Sequence, residues 1–429
     1  MLRIGKLQTG TCCLDNLEER MSKSICGLLL SAVASVATAA PPKPIPLADA
    51  LIAGRSTLSI SPQGFGGDGA PMLRRAIRDA SIVAIGEDHG TREIPAFMAA
   101  VCREIGPSVG ALALEIGETA AEQLDPILRS PDRRQRMADW SRIYPAGVAF
   151  LDIEADNDAA DDCLAAAPAA QLIGLDQEFL GAAGMVLDEI LTTRLTRNAR
   201  QAVQELRAAE RMASGQARLS GDPASLLLLS ATPQRMETVA AALAKGGGER
   251  ARKLFSRLVE SATIYRWNAT GGTEGNAIRA KLMKTVLHRQ MPVTGKVLTR
   301  LGAFHVYKGV NPLKERDVGN WIAETMDGVG KPASLHILVV GAKGTQAAFG
   351  GYARPIRSEQ FDAATSKSAR WLAPALAAQA SAAAGSTLFD LRKLRHMNLT
   401  DVTPEWRRAI DGYDMLLVIS NVTASPGIR

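Results

Sequence analysis

Aromatic side chains are scarce in this chain: nine Phe, five Tyr and five Trp make up only 4% of its 429 residues. A surface that stacks nucleic-acid bases needs several rings in one place, so no nucleic-acid partner is expected. Charge of one sign is also lacking. Lys and Arg number 50 against 44 Asp and Glu, and no long basic block occurs, so the net charge of +6 reads as a solubility feature. Cysteine is sparse too, with five in all. Cys12, Cys13 and Cys26 precede residue 40, which leaves Cys102 and Cys163. Two cysteines allow one disulfide or two buried thiols, but not a thiolate metal cage.

What the chain does have is an ordinary globular balance, 46% apolar and 22% charged. Its length accommodates one large domain or two smaller ones. Residues 21–39 carry the signature of an export signal: Lys23, an apolar run at 28–37, then the small-residue site Ala37-Thr38-Ala39. The run is too short for a stable membrane span. Cleavage near Ala39 is expected, with delivery to the periplasm or outside the cell. Residues 1–20 fit no targeting pattern and are expected not to be translated, Met21 being the start.

Apolar runs that end in glycine or a carboxylate alternate with helical patterns at 68–180 and again at 291–429. Strands are expected at 82–85, 111–116, up to Asp176, up to Gly302, in "SLHILVVG" and in "YDMLLVIS". Such alternation predicts an α/β fold, a mostly parallel central sheet flanked by helices. Residues 181–290 read as almost wholly helical, a helical insertion or cap that forms one wall of a cleft. Residues 40–67 read as a linker and N-terminal segment.

Two short motifs carry little. "GFGGDG" (64–69) fits a dinucleotide fingerprint but follows a poor buried strand, so it reads as a loop. "GPSVG" (106–110) fits a nucleophile elbow, yet a helix precedes it and a strand follows, the reverse of what that motif requires. The stretch "IVAIGEDHGTRE" (82–93) is more informative. In open parallel sheets ligands bind beyond the carboxyl ends of the strands. Glu87, Asp88 and His89 stand at such an end, with Arg92 and Glu93 opening the next helix. Glu115 ends a second strand, Asp176 and Gln177 a third, and Gly302 with His305 a fourth. A carboxylate beside aliphatic strand residues is costly unless something uses it. His288, His336 and His396 are expected to be structural.

"GEDH" (86–89) and "GAFH" (302–305) are two G-x-x-H motifs at strand ends. The pair resembles the clan of Tiki-type proteases, ChaN-type haem-uptake lipoproteins and erythromycin esterases. "HGTRE", the strand-end Glu115 and the late His of "FHVYKG" look most like the esterase branch, over roughly residues 80–420. Two positions depart from that branch. Only Asp88 separates Glu87 from His89, a spacing closer to the ChaN and Tiki side. The helix "AIRAKLMKTVLHR" keeps Arg279 and Met283, but has Val286 where an Asn is expected.

The resemblance implies an exported hydrolase of a small molecule, in which a histidine activates water against an ester or lactone carbonyl without a covalent intermediate. His89 would be the base, Glu115 and Glu87 its partner carboxylates, and His305 a group polarising the carbonyl. Arg92, Glu93, Asp88, Asp176 and Gln177 would contact substrate. No cofactor is expected on this reading. Two alternatives use one: a metal-dependent peptidase with a divalent transition metal on His89, Glu115 and His305, or a haem- or iron-binding protein.

Overall fold

Nine strands build the central sheet: Arg55–Ser61 (β1), Gly64–Gly66 (β2), Ile82–Glu87 (β3), Val109–Gly117 (β4), Gln171–Asp176 (β5), Lys296–Gly302 (β6), Leu335–Gly341 (β7), Ser386–Asp390 (β8) and Met415–Ile419 (β9). Their order across the sheet is β2-β1-β8-β9-β7-β3-β6-β4-β5. From β9 to β5 every neighbouring pair is parallel, while β8, β1 and β2 form an antiparallel edge. These assignments come from a computed structural model, which describes residues 43–328, 334–379 and 385–428. The expected leader and its cleavage site lie outside the described residues.

The central strands are buried on both faces because alternate side chains point to opposite layers. Val83, Ile85, Leu112, Leu114, Ile337 and Val339 enter one apolar core. Their neighbours Ile82, Ala84, Ala111, Ala113, Leu338 and Val340 enter another. The α/β fold expected from the sequence is the fold observed. Its parallel strands run the same way, so their carboxyl ends form one edge. At that edge β3, β6, β4 and β5 are consecutive neighbours. Topology therefore brings the four strand ends that carry ionisable groups together.

Other expectations need revision. The 40–67 segment is no linker from residue 43 on. Leu47–Gly54 is a helix with Leu47 and Leu51 buried, and Arg55–Ser61 pairs with β8 as a sheet strand. Strands of an antiparallel margin need only one apolar face, so a half-polar run such as "RSTLSIS" suffices. The 181–290 segment is helical throughout its longer elements, among them Arg197–Ser220, Pro233–Gly246, Glu249–Ala269 and Glu274–Gln290. It does not stand apart as a cap. Ala199, Val203, Leu254 and Leu258 share one core with the sheet, and Met283, Val286 and Leu287 share the other.

Cys102 and Cys163 form a disulfide that ties helix Glu93–Ile105 to helix Glu154–Ala166, across a separation of 61 residues. Of the three histidines expected to be structural, His288 and His396 are exposed and His336 is fully buried. Among the described residues no helix is long and apolar enough to cross a membrane.

Candidate active site

His89 lies two residues past Glu87, the last residue of β3, and its ring is held from both sides. Nδ1 is 2.9 Å from Glu87 Oε1 and Nε2 is 3.5 Å from Glu115 Oε2. The Phe150 ring stacks on the imidazole, with centroids 3.9 Å apart and planes within 17°. Glu115 owes its position to a bulge. Between Leu114 and Gly117 strand β4 slips one residue against β5, and Glu115 falls in that step. A bulge redirects a side chain that regular pairing would leave in the sheet.

Glu115 is the hub. Its Oε1 accepts from Arg279 Nη2 at 2.7 Å, and its Oε2 accepts from the Gly302 backbone N–H at 2.5 Å. His305 Nε2 stands 3.7 Å from Oε1, while His305 Nδ1 is 2.7 Å from Asp317 Oδ2. Both imidazoles thus meet around one carboxylate. Gly302 sits between them: a Cβ there would lie 3.2 Å from His89 Nε2, 3.3 Å from Glu115 Oε2 and 3.7 Å from His305 Cδ2. Any side chain at this position would fill the space where the three groups converge.

Two arginines neutralise the carboxylates. Arg300, 5% exposed in β6, reaches Glu87 Oε1 at 3.1 Å and also pairs with Asp156. Arg279, from helix Glu274–Gln290, donates from Nε to Asp176 Oδ1 at 2.7 Å while holding Glu115. Burial works against the charge on Glu115, yet His305, His89 and Arg279 outweigh it and hold the carboxyl well below its ordinary range. Burial likewise opposes a charged His89, but Glu115 and Glu87 push its pKa up to about 10. His305 is raised against burial by Glu115 and Asp317. At neutral pH the resting His89 is therefore an imidazolium between two carboxylates.

The cluster opens into a cavity of about 1040 Å³ lined by His89, Asp88, Glu115, His305 and the Pro145–Phe150 region. Asp88 is on its wall as expected, and burial pushes its carboxyl up. Asp176 acts through Arg279 and does not line the cavity. Gln177 does not line it either, and its Oε1 is buried without a hydrogen-bond partner. Arg92 and Glu93 belong elsewhere. Arg92 Nε donates to the Ala424 carbonyl at 3.4 Å, and Glu93 Oε2 accepts from Thr423 N–H at 2.8 Å. Neither lines the cavity, and both fasten the C-terminal segment. The helical 181–290 segment contributes Arg218 and Arg279 to the lining; most of the wall comes from residues 138–153, 346–356 and 426–428.

Sequence reasoning missed Asp156, Asp317 and Arg300, and gave Phe150 and Arg279 no role in the site. Two of them left signals. An arginine inside the apolar strand "KVLTRLG" demands a buried carboxylate, and Asp317 directly precedes helix Val318–Gly328, whose first N–H it accepts at 2.7 Å. Phe150 sits in an irregular loop and left none.

A parallel sheet covered on both faces, with two imidazoles around one glutamate at its carboxyl edge, is an α/β fold shared with solved structures that include an erythromycin esterase. Solved structures carry that likeness. An erythromycin esterase, EreC, in its open conformation is 16% identical with a TM-score of 0.54, over 86% of this chain and 98% of the other. A succinoglycan biosynthesis protein is 14% identical with a TM-score of 0.53, over 89% and 98%. A protein from Bacillus cereus is 15% identical with a TM-score of 0.52, again over 89% and 98%. The shared property is the fold, over nearly the whole of each chain. No protein-family model matches the chain, and no curated protein matches it in sequence.

Proposed function

We propose that this chain is an exported hydrolase of the erythromycin-esterase type, adding water to an ester or lactone carbonyl without a covalent intermediate. One observation carries the reading: His89 is bracketed by Glu87 and Glu115 at the mouth of a cavity large enough for a sizeable organic substrate. The partners of both site imidazoles are carboxylates, and neither imidazole hydrogen-bonds a hydroxyl or thiol among the described residues. A Ser–His or Cys–His pair, which an acyl-enzyme route needs, is absent from those contacts.

The charge states indicate what each group does. A resting imidazolium stabilises an oxyanion developing on the carbonyl and then gives its proton to the departing alkoxide. Glu87 holds the ring in orientation, and Glu115, fixed by Arg279 and the Gly302 N–H, raises both imidazoles against burial. The base role expected for His89 needs a neutral ring, and Glu115 and Glu87 work against it by raising the ring's pKa.

The proposal uses no metal or haem. Both His89 nitrogens face carboxylates, and His305 Nδ1 faces Asp317 while its Nε2 lies 3.7 Å from Glu115 Oε1. Arg279 and Arg300 already balance Glu115 and Glu87. Export is supported by the Cys102–Cys163 disulfide, which oxidising compartments favour.

Replacement of His89 by Ala tests the reading. Turnover of p-nitrophenyl butyrate should fall by about 10²–10⁴-fold, with the circular dichroism spectrum unchanged. A folded variant that keeps near-wild-type turnover rejects it.

A further inference from the structure

We propose that Phe150 is a positioning residue, clamping one face of the His89 ring so that both nitrogens stay aligned with Glu87 and Glu115. Its effect on turnover rests on the hydrolase reading above; the clamp itself does not. The two rings lie with centroids 3.9 Å apart and planes within 17°. Stacking covers a face of the imidazole and leaves the nitrogens in its plane, Nδ1 at 2.9 Å from Glu87 Oε1 and Nε2 at 3.5 Å from Glu115 Oε2. Contacts at these two nitrogens alone would let the ring tilt about the line that joins them. A flat partner on the face removes that motion.

The backbone of Phe150 bears strain to place this ring. Its φ is 67°, a conformation that suits glycine and is unfavourable for a bulky side chain. Most positive-φ positions among the described residues are glycine, and of the five exceptions Phe150 alone is aromatic. Ordinary core packing does not account for it. Phe150 is half-buried, joins none of the apolar cores of the fold, and has His89 as its one ring partner among the described residues. Hydrogen bonds impose the turn from both sides: the Leu151 N–H donates to the Ala149 carbonyl at 2.8 Å, and the Ile153 N–H to the Phe150 carbonyl at 2.7 Å. Asn157, fully buried, donates from Nδ2 to the Leu151 carbonyl at 3.1 Å.

The same stretch of chain also reaches the edge of the ring. Asp156 pairs with Arg300, which stands 3.1 Å from Glu87 Oε1, the atom that meets His89 Nδ1. Residues 150–157 thus hold His89 by its face through Phe150 and by its edge through Asp156, Arg300 and Glu87. The stretch is itself fastened to the C-terminal segment, where the Glu154 N–H donates to the Pro426 carbonyl at 2.9 Å and the Ile428 N–H to the Asp152 carbonyl at 2.8 Å. Proton transfer needs such fixity, since a misplacement of about 1 Å costs roughly 10²-fold in rate.

The experiment compares wild type with Phe150→Tyr, Phe150→Leu and Phe150→Gly. In wild type the Phe150 ring current should move the His89 ring protons upfield of those of the exposed His396. Phe150→Tyr should keep that displacement; Phe150→Leu and Phe150→Gly should lose it and show a more mobile imidazole by ¹³C relaxation. On p-nitrophenyl butyrate those two should lower kcat about 10²-fold with KM little changed, while Phe150→Tyr keeps most of the turnover. Phe150→Gly also relieves the strained backbone, so its loss traces to the missing ring. A rise in KM with kcat unchanged makes Phe150 a wall of the cavity and overturns the positioning role. So do wild-type His89 protons at the His396 position, a measurement that depends on no variant folding. Absence of wild-type turnover overturns the hydrolase reading, and the resonance and relaxation comparison then decides the clamp by itself.

Discussion

His89 stands just beyond β3, and His336 is the second residue of β7, the strand paired to it. Both face strong desolvation, which favours a neutral ring. His89 is nevertheless raised to about 10, whereas His336 is lowered to about 4. The difference lies in what touches the ring. His89 places each nitrogen against a carboxylate. His336 places Nδ1 2.6 Å from the Val306 carbonyl and Nε2 2.8 Å from Ser334 Oγ, partners that satisfy a neutral tautomer. A carboxylate is close to His336 as well, but Asp414 accepts from its backbone N–H and is balanced by Lys308 and Arg395. Burial sets the cost of charging an imidazole, and ring contacts decide whether that cost is met. One region is built for charge, the other for packing.

The largest effect should come from dismantling the charged region. Arg300 is the cation that Glu87 and Asp156 share, and all three are at most 5% exposed. Arg300→Met leaves buried Asp156 without its cation and Glu87 with His89 alone, at a cost of about 3–5 kcal/mol. Urea unfolding measures it, and the added replacement Asp156→Asn should restore part of the loss. A change below about 1 kcal/mol, the level of an exposed pair, would show that this network is solvated.

The contrast between the regions was half legible in the sequence. Four strand ends could be read because long aliphatic runs stop at glycines or carboxylates, and the parallel order of β3, β6, β4 and β5 does the rest. Residue spacing held no sign of the bulge that turns Glu115 toward His89, since a bulge is a relation between two strands. Strand β8, "STLFD", is too short for periodicity to show. The cavity wall at 138–153 has irregular backbone, so no period predicts where Phe150 or Asp152 faces. Arg92 and Glu93 misled for the opposite reason: they adjoin the motif in sequence, but their side chains are taken up by the backbone of residues 423–424.

The second prediction sharpens the comparison by its sign. An unfolded chain has histidine near 6.5, and folded His336 titrates near 4. Folding thus favours its neutral form, a contribution present above pH 6.5 and lost as pH falls through 4, worth roughly 3 kcal/mol in full. His89 behaves oppositely, because its folded value is raised: its contribution is complete below 6.5 and lost as pH rises through 10. Urea midpoints from pH 4 to 7 should fall more steeply on acidification for wild type than for His336→Asn. Parallel curves would mean that His336 is already solvated in the fold.

The smallest effect separates the two carboxylates that flank His89. Glu115 acts on the ring more strongly than Glu87 does, although Glu87 makes the shorter contact at 2.9 Å. Glu87→Gln keeps a hydrogen-bond acceptor near Nδ1 and removes one charge. The His89 pKa should therefore fall by roughly one to two units and stay above that of a free histidine, because Glu115 remains. Imidazole ¹⁵N shifts followed over pH report this directly, with His336 as an internal reference that should not move. Were the value to drop to that of His336, the charge at His89 would depend on Glu87 alone. Glu115 would then belong to Arg279 and Gly302, and the hub at this sheet edge would be Glu87.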